Sequence, residues 1–112
     1  MVESIDPREA LAVRIRRVLS SRTGVREVRM FGGLSFMVQE LMAVTAGRDG
    51  DLLVRIDPAR FDELVERGGT PAYMKDRSMG RGWITVPGSR IGDDSQLAYW
   101  VEVGIDARNA SR

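Results

Sequence analysis

Leu11, Ile15, Val18 and Leu19 follow the i, i+4, i+7, i+8 spacing of one buried helical stripe. Asp6-Pro7 opens that helix, since an aspartate caps free amides, proline suits the first helical position and Glu9 sits at the third. Arg14 and Arg17 flank the stripe on one side and Arg16 on the other, and Ser21 to Gly24 ends the helix. From Val25 the rhythm changes to short β-rich runs, which predict strands at about 25–30, 34–39, 41–46 and 51–56. Gln39-Glu40 reads as a tight turn, and Gly47-Arg48-Asp49-Gly50 as a hairpin turn whose glycines tolerate positive φ. Connections this short exclude parallel crossovers, so the strands form an antiparallel meander.

Asp57-Pro58 repeats the capping device, and Phe61, Leu64 and Val65 give a second helix its apolar stripe. Gly68-Gly69 stops that helix, with Pro71 beyond it. Residues 72–82 read as an irregular, glycine-rich stretch with room for a short strand at Tyr73-Met74. Trp83 to Val86 is a strand halted by Pro87-Gly88. Asp93, Asp94 or Ser95 caps a last helix that turns Leu97, Trp100, Val101 and Gly104-Ile105 inward. The predicted order is helix, three or four strands, helix, one or two strands, helix. That is an α+β two-layer domain on an antiparallel sheet.

A length of 112 residues and 12.5 kDa is one domain, with a core over about 7–108 and a flexible tail at 109–112. The chain has no histidine and no cysteine. That removes imidazole bases, thiol nucleophiles, zinc fingers and redox disulfides, and the expectation is a protein that is not an enzyme and has no cofactor or metal. The net charge of +1 is too small for strong non-specific attraction to nucleic acid. It conceals an alternation: residues 1–30 and 73–92 are each basic by three charges, 31–72 acidic by three and 93–112 acidic by two. Sixteen of the seventeen basic residues are arginine, Lys75 being the exception. No apolar run approaches the ~18 residues of a membrane span. The acidic start Met1-Val2-Glu3-Ser4-Ile5-Asp6 lacks a signal core, so a cytoplasmic location without membrane contact is expected.

Three candidate surfaces follow. The loop Met74 to Trp83 combines cations, methionines and an aromatic, and Arg77, Met79, Arg81 and Trp83 are its candidate partner-binding residues, against the reading of a connector anchored by Trp83. Arg14, Arg17, Arg22 and Lys75 are the candidate nucleic-acid face, should the fold bring the two basic segments together. Gly32 and Gly33 form a candidate backbone anion site, against a tight turn or bulge with Met30 and Phe31 packed in the core. The carboxylate pairs Asp49/Asp51 and Asp93/Asp94 suit a turn and a helix start better than a metal. Ser35, Ser78 and Thr85 have no histidine to activate them. A meander also leaves an edge strand with which a second copy can pair, giving a homodimer.

In order, Met30-Phe31-Gly32-Gly33-Leu34-Ser35-Phe36, Leu52 to Asp57, Gly68-Gly69, Pro71, Tyr73-Met74, Arg77, Met79, Gly82-Trp83, Asp94, Leu97, Trp100-Val101-Glu102 and Gly104 resemble the TfoX N-terminal domain family. The resemblance covers about Arg8 to Asp106. It takes in the N-terminal domain, not the helical second domain that the competence regulators TfoX and Sxy carry. Those regulators promote DNA-uptake genes with a cyclic-AMP-responsive activator. The resemblance implies a two-layer fold like that of small secretion chaperones, no catalytic residues, and a protein partner in transcription regulation.

Overall fold

The computed structural model describes residues 6–107, so the expected tail at 109–112 and the first five residues lie outside it. Helix α1 runs Pro7–Val18, and the Asp6 carboxylate accepts the Arg8 backbone N–H at 3.0 Å. Strands β1 (Val25–Met30), β2 (Gly33–Val38), β3 (Leu41–Ala46) and β4 (Leu52–Arg55) form the expected meander. The turns Phe31-Gly32 and Gln39-Glu40 hold positive φ at both central residues, the twist that suits a two-residue hairpin. Helix α2 (Phe61–Glu66) follows a single turn of tight helix at Pro58–Arg60, capped by Asp57. Asp93 alone caps α3 (Asp94–Asp106), accepting the Ser95 N–H at 2.9 Å while Gln96 accepts the Asp93 N–H. The Ser95 backbone N–H above all, and then the Ser95 hydroxyl, hold the Asp93 carboxyl below its ordinary range by donating to it.

The expected irregular stretch at 72–82 is more regular than the sequence suggests. Strand β5 (Thr70–Pro71) joins the main sheet, and β6 (Tyr73–Met74) pairs with β7 (Arg77–Ser78) in a separate hairpin. These two-residue strands are too short for any period to show. With β8 (Trp83–Val86) the main sheet has the order β1-β2-β3-β4-β8-β5, every neighbour antiparallel.

Register assigns the two faces. Phe36, Val44, Val54 and Ile84 align in one row and Leu34, Ala46, Leu52 and Val86 in the next. Both rows join the core formed with Leu11, Ile15, Leu64, Leu97, Trp100 and Val101 of the helices. All three helices therefore cover the same face. The β2–β3 ladder shifts register between Phe36 and Met37, leaving Ala43 unpaired against β2. Gly104 of α3 sits over that bulge, where a Cβ would lie 2.4 Å from the Ala43 carbonyl oxygen.

The fold pairs arginines of the basic segments with carboxylates. Arg16 grips Glu27 of β1 with two hydrogen bonds of 2.7 and 2.8 Å. The guanidinium holds the Glu27 carboxyl below its ordinary value, with burial opposing it. A carboxyl depressed on folding contributes stability above its unfolded value and loses it as pH falls through the folded one. Glu27→Gln is therefore expected to cost about 0.5 kcal/mol at neutral pH for so exposed a pair. The deficit against the wild-type protein should close on acidification, read as urea midpoints across a pH series.

Candidate functional site

The face of the main sheet turned away from the helices carries the row Val28, Ser35, Thr45, Leu53, Thr85 and Thr70, one residue from each of its six strands. None of these joins the helix-side core. Ser35 and Thr45 are nonetheless fully buried, with their hydroxyl oxygens 2.6 Å apart. The Thr45 hydroxyl also contacts the Met42 sulfur at 3.7 Å. Each hydroxyl thus has the partner that a buried polar group requires.

Two aromatic rings meet on this side. Phe31, in the β1–β2 turn, lies 5.5 Å from Trp83 at the start of β8, the rings tilted by 58°. Strands β3 and β4 stand between β2 and β8. At ordinary strand spacing β2 and β8 are about 14 Å apart, so a flat sheet would hold the rings asunder. The ring contact therefore implies a sheet that curls toward its helix-free face. Two features permit the curl: the bulge at Ala43, and Gly33, where a Cβ would lie 2.2 Å from the Ala46 carbonyl oxygen.

Phe31 is the residue that sequence reasoning misplaced. Met30 and Phe31 were expected in the core, and both are 38% exposed. Phe31 also holds φ at +58°, a region costly for a bulky residue. A glycine at the second central position of a two-residue turn was the available signal, because it puts Phe31 at a hairpin tip and not within a strand.

The expected site residues separate in space. Trp83 lies on the helix-free face with Phe31. Arg81 turns to α2 instead, bonding Asp62 at 3.0 Å and lying 4.7 Å over the Phe61 ring. Arg77 is exposed on the β6–β7 hairpin, and Met79 follows it half-buried, its N–H bonded to the Ala72 carbonyl. Arg14 and Arg17 both reach Asp94, at 3.1 and 4.0 Å, and Arg22 pairs with Glu102. Lys75 stands apart from these on the hairpin turn, with φ at +57°. At Gly32 the group facing a cation is its carbonyl, which accepts from Arg8 at 3.4 Å. Gly33 serves the close approach of β2 to β3.

The acidic pairs have structural tasks as well. Asp51 accepts the Gly88 N–H at 3.0 Å and Asp93 caps α3. Among the described residues no group of three or more carboxylates is placed to hold a metal ion. No helix among them is long and apolar enough to cross a membrane.

Residues 17–108 match the family model described as the TfoX N-terminal domain. The chain belongs to the TfoX N-terminal domain family. No curated protein matches it. Among solved structures, Deinococcus radiodurans protein DR2400, carrying a DUF419 domain, is similar at 20% identity with a TM-score of 0.61. The alignment covers 81% of this chain and 72% of that one, a likeness of fold alone. In this TfoX N-terminal domain the Met30-Phe31-Gly32-Gly33 element has two separable parts, an exposed aromatic and a glycine that seats the hairpin on β3.

Proposed function

We propose that this protein is a non-enzymatic cytoplasmic domain that binds a protein partner in transcription regulation, using the helix-free sheet face. The observation that carries the reading is Phe31, an aromatic kept exposed at positive φ and in tilted contact with Trp83 on the sheet face that none of the described helices covers. Backbone strain retained at an exposed aromatic marks a contact surface more readily than a packing need. Aromatics and methionines are enriched at the centres of such surfaces, and Met30 adjoins the pair. Lys75 and Arg77 have no carboxylate partner among the described residues, so the partner segment fits best as apolar anchors flanked by acidic groups.

Family membership suggests the partner to try first, a cyclic-AMP-responsive transcription activator. An amide-resolved NMR titration with that purified activator should move Phe31, Arg77, Met79 and Trp83. Phe31→Ser and Arg77→Glu should each weaken binding at least about tenfold, the size expected of an interface anchor. No shifts, or shifts confined to the helices, would end this reading. A DNA duplex forms the second arm. Shifts at Arg14, Arg17, Arg22 and Lys75 that persist at physiological salt would favour direct nucleic-acid binding instead.

A further inference from the structure

On the helical side, Arg67 at the end of α2 and Arg90 at the end of the tight turn Gly88–Arg90 line one cleft. The Arg90 side chain passes so near that a Cβ on Gly68 would lie 3.4 Å from its Cδ. The two arginines form one wall of a cleft of about 460 Å³, and Ser95, Gln96, Tyr99 and Trp100 of α3 form the other. That volume is in the range of small-molecule sites, roughly 300–1,000 Å³.

Charge in the cleft is unbalanced. Glu63 is gripped by Arg60 at 3.0 and 3.2 Å and comes no nearer to Arg67 than 3.8 Å. No carboxylate among the described residues pairs with Arg90. The α3 amides are not the attraction, because Asp93 already accepts from Ser95. Gln96 uses its amide oxygen on the Asp93 N–H, which leaves its NH₂ as a donor. Tyr99 supplies a flat surface, with the Arg67 guanidinium 5.5 Å from its ring centre and Trp100 edge-on at 5.2 Å.

We propose that this cleft binds a small phosphate monoester, its dianion bridging Arg67 and Arg90 and its organic part lying against Tyr99. Two guanidinium forks match the near-double charge of a phosphate monoester, whereas a single carboxylate would leave one arginine uncompensated. The cleft and the Phe31–Trp83 face lie on opposite sides of the sheet, so either proposal can fail alone.

The test is an amide-resolved NMR titration with adenosine monophosphate, beside inorganic phosphate, adenosine and sodium chloride at matched ionic strength. Saturable shifts at Arg67, Ser95, Gln96 and Tyr99 are expected with the monophosphate, weaker ones with inorganic phosphate, and none with adenosine or the salt. Replacing both arginines, Arg67→Gln with Arg90→Gln, should weaken binding at least about tenfold, as the loss of charge-assisted pairs does. Should that double variant not fold, Arg90→Gln alone disturbs no ion pair and serves in its place. Absence of saturation at millimolar monophosphate, the same shifts from sodium chloride, or undiminished binding by the variant would overturn the proposal.

Discussion

Gly104→Ala is expected to destabilise the protein by about 2–4 kcal/mol, although glycine to alanine within a helix ordinarily gains up to about 1 kcal/mol. The reversal comes from the Ala43 backbone. A Cβ at position 104 would lie 2.4 Å from the Ala43 carbonyl oxygen and 2.9 Å from its carbonyl carbon. Backbone atoms cannot rotate away, so α3 must lift off β3, loosening the packing of Trp100, Val101 and Val103 beneath it. Urea unfolding of the two proteins would read the difference. An unchanged or raised midpoint would mean that α3 does not approach the bulge this closely.

Gly33→Ala has the second large effect, about 2–3 kcal/mol, and again arises from overpacking against backbone. Its Cβ would meet the Ala46 carbonyl oxygen at 2.2 Å and the Thr45 methyl at 2.9 Å. Gly32→Ala supplies the contrast. Nothing lies within 4 Å of its Cβ, but its φ of +72° is left-handed. That substitution should cost about 1 kcal/mol, the strain of one such residue. Unfolding midpoints for the pair would separate the two roles within one glycine doublet. Equal small effects would mean that β2 does not press on β3, and the curled sheet would lose its support.

Elements with long-enough periods are legible in the sequence alone. The stripe Leu11, Ile15, Leu19 and the devices Asp6-Pro7 and Asp57-Pro58 placed α1 and the entry to α2 where they are found. Cap chemistry is local, so it can be read from neighbours in sequence. The four-strand meander was equally readable, because each connection is too short to allow anything but an antiparallel partner. The hairpin at 73–78 was not, since two-residue strands have no period. Nor was the separation of Arg81 from Trp83, because Arg81 is set by Asp62 and Phe61, nineteen and more residues earlier.

The basic face expected from Arg14, Arg17 and Arg22 shows the same boundary. Composition revealed an alternation of charge along the chain. Only the packing of α1 beside α3 revealed that the first basic segment meets the last acidic one, through Asp94 and Glu102. The candidate sites depend on such long-range placement throughout: Phe31 with Trp83 across two strands, and Arg67 and Arg90 with α3 around one cleft.

By itself, then, the sequence determined the fold class, the family and the absence of histidine and cysteine chemistry, since these rest on residue types and on short-range spacing. Tertiary structure decided which apolar residues stay exposed and which cations meet a carboxylate. Both depend on partners that the chain brings together only when the sheet curls and the helices pack on one of its faces.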